Sequence, residues 1–303
     1  MKSWYSFPKL ASFTILLSLL VIISCSKEKS SSGTDQQEEQ VAQVSAEADA
    51  EAESTYSELF DDVMGVNNDV GVAGSGVSFG RTDTLTPVAR CFTLTITHPN
   101  GTPFPAVVTF DFGSVGCPGP DGRVRRGKVI TEYTNRLTFA GAIATTHFEN
   151  YYVNDIHVEG VHKITNTSET NIPRRYKIQI IGGKLTKPNG NYIEWNSTRV
   201  ITQIDGLGTP DYFRDDVFKV EGSASGVTRR DNLVVRWEST ITEPLIRRFT
   251  CRWIVKGRVK TVRVNLPNPG TSPWVGILDF GIGNCDNQAT LTINGVTRQI
   301  TLP

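Results

Sequence analysis

Alternation of apolar and polar side chains dominates the chain from Thr84 to its end. Between residues 92 and 97, for example, Phe, Leu and Ile alternate with Thr, and turns such as Pro99-Asn100-Gly101 separate runs of this kind. Successive side chains of a strand point to opposite faces, so this pattern predicts strands with one apolar face. We therefore predict an all-β domain over residues 85–303, with about a dozen antiparallel strands in a sandwich, an open barrel or a long meander.

The sequence Asp-Phe-Gly, followed by three residues and a cysteine, occurs twice, at Asp111–Cys117 and at Asp279–Cys285. In each copy the motif ends the returning strand of a predicted hairpin, and another cysteine, Cys91 or Cys251, opens the first strand. Neighbouring strand ends bring Cα atoms within the roughly 7 Å that a disulfide needs. We therefore predict two hairpins, one near each end of the domain, closed by the disulfides Cys91–Cys117 and Cys251–Cys285.

The repeated aspartate has two candidate roles. In a structural role the Asp ends the strand, the Phe stays on the apolar face, and the Gly adopts a positive φ that turns the chain away. In the alternative role, Asp279 and Asp286 would contribute oxygen ligands to a calcium ion. Neither copy has the dense, alternating oxygen ligands of a known calcium loop. The structural role is therefore the prediction, and no cofactor is expected.

The N-terminus has the layout of an exported protein, because two lysines precede an apolar run over residues 13–23. This run is shorter than the roughly 20 residues of a membrane-spanning helix. It ends in Ile22-Ile23-Ser24-Cys25, which resembles the cleavage site of bacterial lipoproteins. The resemblance covers only the first few dozen residues. It implies a signal peptide at residues 1–24, a lipid on Cys25 and a location in the cell envelope, at the outer membrane.

The following segment, residues 25–84, is strongly acidic. Residues 30–80 contain no Lys or Arg, and the part up to about Glu53 is rich in Ala, Glu and Gln. Low hydrophobicity with one sign of charge predicts a solvated, flexible and disordered tether. Apolar residues at three- and four-residue spacing predict one short helix near residues 55–64. Beyond these segments, the body resembles exported β-rich bacterial lipoproteins only in style, and the resemblance transfers no functional residue.

The folded part is basic, with 27 Lys and Arg against 19 Asp and Glu from Arg81 onward. Lys256, Arg258 and Lys260 alternate, so they share one face of a strand and are the candidate site for an anionic lipid, an acidic glycan or the protein's own acidic tether. The alternative is an edge strand that its charges keep soluble and unpaired. A nucleic-acid partner is not expected, because the chain is exported and has no recognisable binding module.

No catalytic motif is recognisable in the sequence. His157 and His162 lie five positions apart, which predicts that they point to opposite faces of their strand. The leading hypothesis is therefore a lipid-anchored envelope protein with a non-catalytic binding or structural β module. The alternative is a carbohydrate-active hydrolase, which needs two carboxylates about 5 to 10 Å apart over aromatic platforms. Its candidate groups are Glu194, Asp215, Asp216, Trp195, Trp237, Trp253 and Trp274.

Overall fold

The computed structural model of the protein describes residues 33–67, 91–119, 122–170, 173–209, 215–264 and 275–302. The predicted signal peptide, Cys25 and Trp274 lie outside the described residues. Within the described part, no helix combines the length and the hydropathy needed to cross a membrane.

In the described part of the chain, one helix precedes fourteen strands. The helix, α1, spans Gly33–Asn67. The strands are β1 Thr93–Thr97, β2 Ala106–Asp111, β3 Cys117–Pro118, β4 Val124–Tyr133, β5 Ile143–Val153, β6 Ile156–Asn166, β7 Arg175–Thr186, β8 Tyr192–Asp205, β9 Val217–Arg230, β10 Leu233–Arg248, β11 Lys256–Arg263, β12 Val275–Ile282, β13 Gln288–Ile293 and β14 Val296–Thr301.

The strands form a single antiparallel sheet. Its order is β1-β2-β4-β5-β6-β7-β8-β9-β10-β11-β12-β13-β14, and β3 pairs with β4 beside this path. Apart from the two-residue strand β3, strands that follow one another in the chain are therefore neighbours in the sheet, which confirms the all-β class and the long meander. Among the described residues β1 and β14 are the two edges, and no pairing closes the sheet between them.

Burial along the strands has the predicted period of two. In β8 the buried residues Ile193, Trp195, Ser197, Arg199, Ile201 and Gln203 occupy every second position. The residues between them are exposed in the first half of the strand. The buried face includes Ser, Arg and Gln as well as apolar residues, so the inside of the sheet is polar in places.

The inner face of the sheet surrounds α1. Residues of β4 and of strands β6 to β14 contact the helix, and from Val41 to Glu53 every helical side chain is buried except those of Gln43, Glu47 and Glu51. These three are half-buried and lie on one side of the helix, so the sheet covers most of its circumference. The sheet therefore curves around α1, and the helix supplies the centre of the core, with Ala46, Ala52, Tyr56 and Phe60 among its most buried residues.

The length and surroundings of α1 correct the prediction for residues 25–84. The expected helix near residues 55–64 is present, but it is the end of a 35-residue helix that begins at Gly33. Residues 33–53 are therefore not a solvated tether. The tether prediction was wrong for these residues because Ala, Glu and Gln are strong helix formers, and because the acidic side chains pair with basic residues of the sheet. The rest of the predicted tether, residues 25–32 and 68–84, lies outside the described residues.

Candidate functional site

Both copies of the Asp-Phe-Gly motif form the same turn. The amide of Gly113 donates to Oδ1 of Asp111 at 2.9 Å, and the amide of Gly281 donates to Oδ1 of Asp279 at 2.9 Å. Both glycines have positive φ, at 68° and 89°. Phe112 and Phe280 lie in the core with the same exposure of 5%.

Each motif aspartate also faces a basic residue on the neighbouring strand. Lys128 is opposite Asp111, with its Nζ 3.7 Å from Oδ2, and Arg258 is opposite Asp279, with its Nε 2.7 Å from Oδ2. Burial disfavours the Asp279 carboxylate, but the bonds from Arg258 and from Gly281 outweigh it and lower its pKa. The repeat therefore joins neighbouring strands at two places in the sheet. Asp111 ends β2 as predicted, whereas β12 continues beyond Asp279 to Ile282.

The two predicted disulfides are confirmed. Cys91 is bonded to Cys117, with 5.4 Å between the Cα atoms, and Cys251 is bonded to Cys285, with 5.7 Å. The first bridge lies where β2 ends. The second lies at the opposite ends of the strands, where β10 and β12 finish and β11 begins. The disulfides therefore fasten both ends of the meander.

The candidate calcium ligands are engaged with protein groups. Asp279 pairs with Arg258, and Oδ1 of Asp286 accepts a bond from the amide of Gln288 at 2.9 Å. The described part of the chain contains no group of three or more His, Cys, Asp or Glu residues that could hold a metal ion.

Lys256, Arg258 and Lys260 are exposed on one face of β11, as the alternation predicts. However, β11 lies between β10 and β12, so it is not the edge strand of the alternative explanation. Arg258 binds Glu243 at 2.7 Å as well as Asp279, and these bonds and charges raise its pKa above its ordinary value. Lys256 and Lys260 remain candidates for an external anionic partner.

Those hydrolase candidates that the structure describes do not form a cleft together. Trp195 and Trp237 are each 1% exposed and contact the helix rather than solvent. Glu194 faces outward, with its Oε1 3.5 Å from Nζ of Lys184. Asp216 is buried against Arg174 and Gln203, whereas Asp215 accepts a bond from the hydroxyl of Thr209. Trp253 is half-buried.

The structure reveals a polar interface that sequence reasoning missed, centred on Asp49 of α1. One carboxylate oxygen, Oδ1, accepts bonds from the indole nitrogen of Trp195 at 2.9 Å, from that of Trp237 at 3.1 Å and from the hydroxyl of Ser239 at 2.9 Å. Burial raises the pKa of this carboxyl, and the charge of Arg199 and the two indole bonds offset the effect in part. Asp49 therefore connects the helix to β8 and β10.

Six further acidic residues of α1 pair with basic residues spread across the sheet; we call them the helix–sheet ion pairs. They are Glu38 with Arg263, Glu39 with Arg298, Glu47 with Arg230, Glu51 with Lys187, Glu53 with Arg199, and Glu58 with Arg123 and Arg125. The Glu53–Arg199 pair is almost fully buried, and two guanidinium nitrogens reach one carboxylate oxygen at 2.8 and 2.9 Å. The sequence offered the acidic segment as one of three alternative partners of Lys256, Arg258 and Lys260, but the partners of these acidic residues are other basic residues of the sheet.

A small cavity of about 20 Å³ lies between α1 and strands β7 to β10, which is room for about one water molecule. It is lined by Ser197 and Arg199, which have polar atoms without a hydrogen-bond partner. Two open depressions of about 530 and 590 Å³ lie elsewhere, one beside Asp111 and Tyr152 and one over the middle of β7 to β10.

The two histidines of β6 lie on opposite faces, as their spacing predicts. His157 stacks on Tyr152 with 4.6 Å between ring centroids, whereas His162 is fully buried and neither ring nitrogen has a hydrogen-bond partner. Burial lowers the pKa of His162 to about 3, and the nearby charge of Arg247 acts in the same direction.

Comparison with known proteins identified no relative. No protein-family model, no curated protein and no solved structure matches the chain.

Proposed function

We propose that this chain is a lipid-anchored protein of the bacterial cell envelope, at the outer membrane, whose β domain is a non-catalytic binding or structural module. The observation that carries the proposal is the apolar run that ends in Ile22-Ile23-Ser24-Cys25. The thioether-linked lipid of such a protein, together with an acyl chain on its amino group, is enough for stable membrane attachment, which one chain alone is not.

The two disulfides support export. Disulfides persist in the periplasm and on cell surfaces, whereas thiols stay reduced in the cytosol. With Cys25 set aside for lipidation, the remaining four cysteines are all paired, Cys91 with Cys117 and Cys251 with Cys285. If Cys25 carries the lipid, no cysteine of the chain is left over, which is consistent with an exported lipoprotein.

The enclosed helix supports a binding or structural role. The inner face of the sheet is filled by α1, so a partner would meet the outer face or the strand ends. Lys256 and Lys260 are the proposed contacts there for an anionic lipid or glycan, because both are exposed on the outer face of β11.

A Cys25→Ser variant tests the anchor. In cells that express the wild-type chain, we expect mature protein that begins at Cys25, incorporates labelled fatty acid and fractionates with the outer membrane. The variant should keep its signal peptide or lose its membrane location, and an inhibitor of lipoprotein signal peptidase should reproduce the processing defect. A wild-type mature protein that begins elsewhere and carries no lipid would refute the proposal.

A further inference from the structure

The helix enters the sheet at one defined end. Near its start, Glu38 binds Arg263, which is the last residue of β11, and Glu39 binds Arg298, close to the start of β14. Phe60 lies 21 positions after Glu39 and packs against Phe249, with 6.4 Å between ring centroids. At 1.5 Å per residue, these two levels are about 30 Å apart along the helix.

The proposed lipid lies close to the start of this helix in the sequence. Gly33 follows Cys25 by eight residues, which span at most about 29 Å when fully extended. The long tether expected from composition would have allowed any orientation of the domain. A connection this short keeps the helix start near the lipid surface, so the end with Phe249 and the Cys251–Cys285 bridge points away from it.

The residues exposed at the near end have the chemistry of a membrane interface. Val234, Val264 and Val296 are 49%, 47% and 55% exposed. Arg229 is exposed beside the turn between β9 and β10, and the Arg298 side chain is half exposed. Small apolar side chains suit the boundary between headgroups and acyl chains, and guanidinium groups suit lipid phosphates. We call these five residues the anchor-side rim.

We propose that the anchor-side rim rests on the bilayer that holds the Cys25 lipid, with Arg229 at the phosphates of anionic headgroups. The inference depends on the proposed lipid anchor, because the short connection to Cys25 is what selects this end of the sheet. The partner is therefore a lipid surface, and α1 runs from its start near this surface towards the far end of the domain.

Photo-crosslinking tests the orientation. The lipidated chain is placed in vesicles that contain phosphatidylglycerol, with p-benzoylphenylalanine in place of either Val296 or Ile282. Ile282 is the matched control, because it is an aliphatic residue with 88% exposure at the far strand end. We expect about tenfold more lipid adducts at Val296, since the far end is held about 30 Å away.

A charge-reversal variant and its control test the role of Arg229. Arg229→Glu should reduce the adducts at Val296 about fivefold in phosphatidylglycerol vesicles but little in phosphatidylcholine vesicles, since an arginine is attracted to an anionic surface. Arg175→Glu is the control, because Arg175 is exposed at the opposite end of the strands. It should leave the adducts unchanged.

The outcomes separate the two proposals. If the lipidated chain stays with the vesicles but Ile282 reacts as much as Val296, the rim contact is wrong and the anchor stands. If the chain carries no lipid and remains in the supernatant, the anchor is wrong, and the rim contact that depends on it falls as well.

Discussion

Asp49 illustrates how one residue can decide the position of an element. Its carboxylate receives three bonds from β8 and β10, and all the groups involved are buried. An unmade bond at a buried polar group costs about 1 to 3 kcal/mol. Any shift of α1 along the sheet would break several such bonds at once, so this residue specifies the register of the helix.

His162 makes the stability of the protein depend on pH. The unfolded chain binds a proton on this residue below about pH 6.5, whereas in the folded protein its pKa is about 3. As the pH falls from about 6.5 towards 3, proton binding by the unfolded chain therefore lowers the free energy of unfolding by roughly 1.4 kcal/mol per pH unit. Between pH 7 and pH 5, we expect the free energy of unfolding of His162→Leu to fall by about 2 kcal/mol less than that of wild type, as measured by urea unfolding.

His147→Gln is the control for this measurement, because His147 lies on the exposed face of β5. The other titrating groups are present in wild type and in both variants alike, so they cancel when the variants are compared with wild type. Equal pH slopes for wild type and His162→Leu would show that His162 is not held neutral.

At the scale of the element, the repeated Asp-Phe-Gly turn and the disulfide next to it form a strand terminus. The turn depends on an oxygen acceptor at the Asp position and on a positive φ at the Gly position. A Cβ at Gly113 or Gly281 would meet no atom within 4 Å, so the glycine is needed for its backbone conformation and not for space.

Removing a bridge should therefore cost more than altering the motif aspartate. The Cys251–Cys285 bridge closes a loop with a sequence separation of 34, for which the chain-entropy model gives about 4 kcal/mol. We expect the variant with serine at both positions to melt roughly 10 °C lower in a calorimetric scan. Asp111→Asn should cost less than about 1 kcal/mol, because it loses only a partly exposed ion pair with Lys128 and keeps an acceptor for Gly113.

A bound calcium ion would reverse this ranking of the two kinds of variant. If the repeated aspartates bound this ion, Asp279→Asn would be as damaging as loss of a bridge, and a chelator would lower the melting temperature of wild type. Peptide mapping without reductant provides the separate check that the two links are those of the structure.

At the scale of the whole molecule, helix and sheet are one folding unit. The inner face of the sheet places arginines where an apolar core would otherwise be expected, and α1 supplies the carboxylates that pair with them. Breaking one partner of a buried pair leaves an uncompensated charge, which is strongly destabilising. The sheet therefore requires the helix, and the helix, with no basic residue of its own, requires the sheet.

Hydrogen exchange should show this dependence. In the intact protein, amides of residues 41–60 should exchange as slowly as those of the central strands β7 to β9, because the helix is enclosed. The isolated peptide of residues 33–67 should exchange almost at the rate of an unstructured chain, since most helix stability in proteins comes from packing. Rapid exchange over residues 41–60 in the intact protein would contradict the enclosed helix and support the predicted flexible tether instead.

What the sequence by itself determined is local. The alternation specified the strands, and because each strand pairs with its neighbours in the chain, the hairpins placed Cys91 beside Cys117 and Cys251 beside Cys285. Only the tertiary structure decided that the sheet curves around a helix and that acidic residues belong to the core. Asp49 and Glu53 meet partners that lie more than 140 positions away, such as Trp195 and Arg199. Burial of a charge depends on those distant partners, and local composition carries no record of them.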